Sequence, residues 1–478
     1  MSRSEGKLPW VEKPFFQLAV LGLFSFTVFL SKLGQHGMAN YDDCFYAQKA
    51  KEILQNREWW LLTFNHHPAF ENPPFYMWLV ALAYKVFGVG EFSAKLPSAL
   101  MGIFTVALVY YLGRILFNPW AGLFGAFILA TTYPFMKFGR HAMVDVTLAF
   151  LVTAALFFFL LALRKDSRFF LGWGLCLGLA LLDKSLLGLS ALVIPLAYLF
   201  LNSHGEKAAN PYFPSGLLLG LGLGCSWYVL EYLQFGREFA SAHFGWLILH
   251  RGFQAGPEPW YHHLSFFADL ATFYWPWLPL ALFGLFWAMK AKFWEHENLS
   301  LVVLWAGLPT LGISLTQTRP LWYFMPVFPA LALLSAYGLD RLLKERQKTL
   351  LAGTLLSLGV LAALLVNLLP ISLDSERGKE VRALAPTVKA YAEKGAVVLG
   401  LREDFYGLNN SMLFYSDHAV EPLFDKVENV AEAFQQNRLV LCLAHQGDMA
   451  EIRAKIRGWH PVTQAGDYVL IANRAEER

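Results

Sequence analysis

Two adjacent carboxylates, Asp42-Asp43, lead the run Cys44-Phe45-Tyr46-Ala47, and the same segment closes at Phe70-Glu71-Asn72-Pro73-Pro74. A carboxylate held near a hydroxyl can take its proton as that oxygen attacks, so this segment has the side chains for acid–base work. His66, His67 and Glu71 offer nitrogen and oxygen donors of the kind a divalent cation accepts. Farther along stand Arg140, Asp145, Lys184, Arg251 and Arg319. Such cations can oppose a phosphate whose charge grows in a transition state. Each residue also has a plainer role. Asp42, Asp43 and Asp145 are good helix caps, Lys184 and Arg319 can snorkel to a membrane surface, and two histidines in a loop need not bind anything.

The surroundings make those charges informative. The chain has 478 residues, 56% of them hydrophobic and only 16% charged. Soluble domains carry about 25% charged residues, so the deficit points to a polytopic membrane protein. A net charge of +3 is too small to argue for a nucleic-acid partner. Cys44, Cys176, Cys225 and Cys442 are far apart and fit no zinc spacing. Charges at membrane depth are costly and tend to pair or to serve a site.

Apolar stretches long enough to cross a bilayer lie near 14–32, 97–114, 119–136, 144–163, 169–183, 186–202, 213–233, 265–288, 299–316, 320–338 and 350–370. The first follows Arg3, Lys7 and Lys13 and reads as an uncleaved first helix rather than a signal peptide. The stretch 74–87 is short. Treating it as interfacial puts Arg114, Arg164, Lys165, Arg168, Lys207, Lys290, Lys292, Arg341, Lys344, Arg346 and Lys348 on the inner side, as the positive-inside rule asks. The expected fold is therefore a polytopic α-helical membrane protein with about 11–13 transmembrane helices. Two large loops, 33–96 and 234–264, then face outward with Asp42, Glu71, Asp145 and Lys184. Residues 1–370 form the membrane part. Residues 371–478 turn polar and read as a small outer, periplasmic α/β domain, with strands at Ala396–Leu399, Leu439–Cys442 and Tyr468–Ile471.

Several motifs then follow in order. They are Asp42-Asp43-Cys44-Phe45-Tyr46-Ala47, Phe70-Glu71-Asn72-Pro73-Pro74, Phe87-Gly88-Val89-Gly90-Glu91-Phe92 and Lys95-Leu96-Pro97-Ser98. Gly139-Arg140-His141-Ala142-Met143-Val144-Asp145, Leu182-Asp183-Lys184-Ser185, Ser226-Trp227-Tyr228 and Arg319-Pro320-Leu321-Trp322-Tyr323-Phe324-Met325-Pro326 come after them. This series resembles the ArnT-like and protein O-mannosyltransferase-like membrane glycosyltransferases of the GT-C type, over roughly residues 10–345. The family's Lys after the Glu is Asn72 here, and its Thr-Lys-Gly turn is changed on both sides of Lys184.

The resemblance implies a GT-C fold and a transferase that moves a sugar from a polyprenyl-phosphate (undecaprenyl-phosphate) donor to an acceptor outside the inner membrane. It makes Asp42 the catalytic base and Asp145 the second acid. Glu71, with His66 and His67, would shape the cleft and offer a divalent metal site. Arg140, Lys184, Arg319, Tyr323, Arg251, Asp43 and Tyr46 would hold substrate or phosphate. Two acceptors stay open: lipid A or another glycolipid, and the Ser or Thr of a protein. A transporter or flippase of lipid-linked glycans is the main alternative. It would predict internal repeats and mid-helix charges rather than charge gathered in one outer loop. A structural membrane subunit would not need Asp42, Glu71 and Asp145 on one side.

Overall fold

The computed structural model describes residues 11–38, 42–203, 205–254, 262–317, 319–374, 377–402 and 406–474. Helices occupy most of each predicted span. Glu91–Leu116, Val144–Arg164, Tyr212–Phe235 and Glu345–Leu368 are each long and apolar enough to cross a membrane. Pro14–Leu30, Pro119–Ala130, Phe169–Asp183 and Ser185–Leu201 are shorter apolar helices. Arg114, Arg164, Lys290 and Arg341 fall in the last turns of their helices, where a cation offsets the exposed carbonyls. Several of these ends are tied together: Asn118 bonds to Asp340 (3.0 Å), which also pairs with Lys348 (2.7 Å).

One expected span is corrected. Residues 265–288 are not a single straight helix, because Phe267–Phe273 and Leu278–Lys290 meet at 118°. Pro276 and Pro279 sit at the break, and proline has no N–H to continue the ladder. Phe75–Phe87 is helical but has only 13 residues. That gives about 20 Å, well short of the bilayer core.

Helix contacts are closest where side chains vanish. Phe169–Asp183 packs on Tyr212–Phe235 through Gly174, Gly178, Gly216 and Gly220; a Cβ on Gly174 would collide with the Gly216 carbonyl. The first outer loop folds back on the bundle. It carries the helix Asp42–Asn56, a hairpin of β1 (Thr63–Phe64) and β2 (His67–Pro68), and the helix Phe75–Phe87. Glu52 organises the hairpin by accepting from Thr63 Oγ1 (2.5 Å), Asn65 N (2.8 Å) and His66 N (3.2 Å).

Beyond the last long helix lies a five-stranded sheet. Its strands are β3 (Val397–Leu401), β4 (Leu423–Phe424), β5 (Val440–His445), β6 (His460–Ala465) and β7 (Tyr468–Ala472), in the order β4-β3-β5-β7-β6. The first three pair in parallel, and the last two are antiparallel. Leu441 and Leu443 enter one core, and Val440, Cys442 and Ala444 the other, as the two-residue period of a strand buried on both faces requires. This region is stitched to the first loop. Lys51 pairs with Asp417 (2.5 Å) and donates to Phe414 O (2.9 Å), the Tyr415 hydroxyl accepts from Met38 N (3.2 Å), and Arg382 pairs with Glu91 (3.2 Å).

Two predictions arise from this packing. Gly174→Val should destabilise the protein by about 1–3 kcal/mol through overpacking, whereas Gly222→Val, where the added Cβ meets nothing, should not; thermal unfolding in detergent reads the difference. Burial raises the Asp417 carboxyl, but Lys51 and Lys389 outweigh it and hold it below the ordinary 3.8. A depressed carboxylate contributes stability above its unfolded pKa and loses it as pH falls through the folded one. The wild type should therefore lose stability below about pH 4 more steeply than Asp417→Asn, as chemical denaturation across pH would measure.

Candidate active site

Four elements converge on one point. The helix Asp42–Asn56 begins with both carboxylates, which its positive end favours. Asp42, Tyr46 and Lys49, at i, i+4 and i+7, share one face of it. Asp145 lies in the first turn of Val144–Arg164. Lys184 ends Phe169–Asp183 in an extended conformation, φ −152° and ψ 93°, and so breaks the helix before the turn Ser185–Gly188. Gly188 allows that break, since a Cβ there would meet the Ala180 carbonyl. Pro320 opens the 3₁₀ turn Leu321–Phe324, which supplies Tyr323.

At the centre, the Lys184 ammonium donates to Asp145 Oδ1 at 2.5 Å and lies 4.3 Å from the Tyr323 ring centre. Asp145 is buried, and its second oxygen has no hydrogen-bond partner among the described residues. Asp183, also buried, has neither oxygen hydrogen-bonded among the described residues. The Tyr46 phenol is pushed well above its ordinary pKa, by burial first and then by the negative charges of Asp42 and Asp145. Asp42 is half-buried. A carboxylate, a buried acid, an ammonium and two phenols thus occupy one region.

A second layer supports the first. Lys49 is fully buried and donates to Glu71 at 2.8 Å. Burial raises the Glu71 carboxyl, but the Lys49 ammonium outweighs it and holds it below the ordinary value. His243 donates from Nδ1 to Phe70 O (2.6 Å) and shares a hydrogen bond between Nε2 and Ser185 Oγ (3.2 Å), and so links the first loop to the turn beside Lys184. Burial keeps His243 below its ordinary pKa. Asp43 is buried and faces His141 Nδ1 at 3.1 Å. Arg140 is buried and bidentate to Asp374, with both bonds at 2.8 Å, and it also donates to Val28 O and Ser31 O.

Asp42, Tyr46, Asp145, Lys184 and Tyr323 therefore come together. Arg319 is half-buried, four residues before Tyr323. Arg140 stands apart, committed to Asp374. The side chain of Arg251 lies outside the described residues. Of the expected metal donors, His66 and His67 are exposed on the hairpin and Glu71 pairs with Lys49; no group of three or more His, Cys, Asp or Glu among the described residues is placed to hold a metal ion. Lys49, Asp183 and the bridging role of His243 were not anticipated. The spacing of Lys49 from Asp42 was the available signal.

The Lys184–Asp145 pair yields a stability test. Lys184→Met should cost about 3–5 kcal/mol by leaving a buried carboxylate without its counter-charge. Adding Asp145→Asn should recover most of that loss, as thermal unfolding of the single and double variants will show.

Comparison with known proteins finds similarity in sequence and in fold. The family described as dolichyl-phosphate-mannose-protein mannosyltransferase matches residues 71–228. An uncharacterised protein of Aquifex aeolicus is 28% identical over 347 residues, 71% of this chain and 67% of that protein. The undecaprenyl phosphate-alpha-4-amino-4-deoxy-L-arabinose arabinosyl transferase 2 of Pseudomonas fluorescens is 27% identical over 371 residues, 74% of this chain and 65% of that protein. The matches span about two thirds of the length of these relatives. The crystal structure of ArnT from Cupriavidus metallidurans bound to undecaprenyl phosphate superposes with a TM-score of 0.75 at 18% identity, covering 96% of this chain and 98% of that one. The archaeal oligosaccharyltransferase AglB from Archaeoglobus fulgidus gives 0.58 at 14% identity, covering 94% and 72%. In sequence the chain is similar to the mannosyltransferase family over residues 71–228 and to the arabinosyl transferases over about two thirds of their length, and it shares the fold of the ArnT structure.

Proposed function

We propose that this protein is a membrane glycosyltransferase that moves a sugar from a polyprenyl-phosphate donor to a hydroxyl or phosphate oxygen of an acceptor at the outer face of the inner membrane. The observation that carries the reading is the convergence of Asp42, Asp145, Lys184 and Tyr323 from four separate elements. The named arabinosyl transferase relatives and the bound undecaprenyl phosphate of the structural neighbour support the donor class.

Asp42 is the base in this mechanism. As the acceptor oxygen attacks the anomeric carbon, any proton it carries passes to the Asp42 carboxylate. The new carbon–oxygen bond forms as the bond from that carbon to the phosphate oxygen breaks, and the polyprenyl phosphate leaves with the electron pair. Lys184 opposes the charge that grows on that oxygen. Its ammonium has three protons, so it can keep Asp145 while donating to phosphate. Asp145 thereby orients Lys184, and Tyr323 and Tyr46 wall the site. Arg319 is a second cation on the donor side. Residues to about 370 form the catalytic membrane part, with the sheet-bearing part beyond them on the periplasmic side. A transporter would have no use for a carboxylate beside the ammonium that receives the phosphate.

Asp42→Asn should lower transfer by about 10²–10⁴-fold while polyprenyl phosphate still binds. Mass spectrometry of glycolipids and secreted glycopeptides from cells carrying either form, at equal protein level, checks this. Unchanged glycan masses with Asp42→Asn would remove the base assignment.

A further inference from the structure

A cavity of about 810 Å³ lies at the end of the bundle opposite Lys184. Its size is that of a small-molecule site, roughly 300–1,000 Å³. Arg164, which lines it, closes the helix that Asp145 opens. The 21 residues of that helix, at about 1.5 Å each, put about 30 Å between the two, the depth of a bilayer core. Arg341 lines the cavity from the end of Phe328–Leu342, and Glu297 and Asn298 from the start of Glu297–Ser314. Arg164, Glu297 and Arg341 are exposed, so the cavity opens at the surface.

Tryptophans mark this level. Trp120, Trp287 and Trp294 all sit at this end, and indole rings collect where a membrane meets water. On the helix Leu278–Lys290, Leu282, Phe286 and Met289 stand at i, i+4 and i+7 and are all exposed. This apolar stripe ends two residues before Ala291, which lines the cavity.

The lining carboxylates are already met. Asp340 pairs with Lys348 (2.7 Å) and accepts from Asn118 (3.0 Å). Glu295 pairs with Lys292 (3.1 Å). Glu297 and Arg164 both interact with the Tyr198 hydroxyl, and Arg164 also donates to Ile115 O (3.2 Å) and Asn298 Oδ1. Arg341 differs, because no carboxylate pairs with it among the described residues. Its guanidinium donates to the Tyr337 hydroxyl (3.0 Å) and lies 5.2 Å from the Tyr337 ring and 5.9 Å from that of Trp287. Those contacts orient the planar fork and leave most of its N–H groups for another acceptor.

We infer that this cavity holds the phosphodiester headgroup of an anionic phospholipid, in the leaflet opposite the Lys184 centre, with Arg341 as the main ligand. The one lining arginine without an acid matches the single negative charge of a phosphodiester. An oriented guanidinium suits two phosphate oxygens. The exposed stripe gives an acyl chain a track that a soluble phosphate would not use, and basic pockets between membrane helices take acidic headgroups on this principle. The site uses neither Asp42, Asp145 nor Lys184, and a chain with no transferase activity would still show it.

Native mass spectrometry of the full-length protein in neutral detergent tests the inference. The probes are dioctanoyl phosphatidylglycerol, dioctanoyl phosphatidylcholine as the zwitterionic control, and glycerophosphoglycerol, the acidic headgroup without chains. The wild type should hold phosphatidylglycerol at least about tenfold more tightly than either of the others. Arg341→Gln should weaken that binding by at least about tenfold, and Tyr337→Phe, which keeps the ring but loses the orienting hydroxyl, should weaken it less. Arg346→Gln removes an exposed charge at the same end but outside the cavity, and should change binding by less than about twofold. Lipid held at Lys184 would be indifferent to all three substitutions. Phosphatidylcholine bound as tightly as phosphatidylglycerol, Arg341→Gln without effect at unaltered unfolding temperature, or an equal loss from Arg346→Gln overturns the inference. Glycerophosphoglycerol bound as tightly as the lipid overturns the assignment to a phospholipid.

Discussion

The ion pair between Lys184 and Asp145 sets the terms for the rest of this structure. A buried carboxylate and an ammonium cost several kcal/mol each to desolvate, and only close contact recovers that cost. Lys184 can reach Asp145 because its helix stops at that residue, and the helix stops because Gly188 lets the chain turn back against Ala180. The packing of Phe169–Asp183 on a glycine-lined neighbour fixes where the stop occurs. The pair therefore couples a backbone break, a helix start and a close helix contact. The Tyr323 ring over the ammonium adds a fourth element to the same joint.

Around this joint the charges are layered. The inner layer holds Asp42, Tyr46, Asp145, Lys184 and Tyr323. The next holds pairs that lock the loops supplying them: Lys49 with Glu71, Asp43 with His141, and Arg140 with Asp374. Paired ions of this second kind add little net stability, but removing one partner strands the other. They fix geometry more than they hold the fold, as a site assembled from segments far apart in sequence requires.

Hydropathy made most of the bundle legible, because a run of about twenty apolar residues has few other uses. It failed at 265–288, where the apolar count continued through a bend made by proline. The strands β4 and β6 were missed because one has two residues and the other is polar and mostly uncovered. At the site, the residues that converge were readable by type and order. Their pairings were not. Arg140 and Asp374 are 234 positions apart, and His141 and Asp43 are 98 apart. Only the folded chain says which carboxylate each cation answers. Glu71 is a further case: its partner is Lys49, a buried lysine on the neighbouring helix.

The helix Asp42–Asn56 faces two ways. One side presents Asp42, Tyr46 and Lys49, while Lys51 binds it to the segment Tyr406–Ser416 and to Asp417 beyond. Inheritance of the two ends of the chain is therefore not independent. Recombination that exchanged the C-terminal region for that of a distant relative would carry away the anchor of the helix bearing Asp42. Substitutions at Lys51 and Asp417 should drift as a matched set across lineages, and the sheet can diversify freely only on surfaces that do not touch this helix.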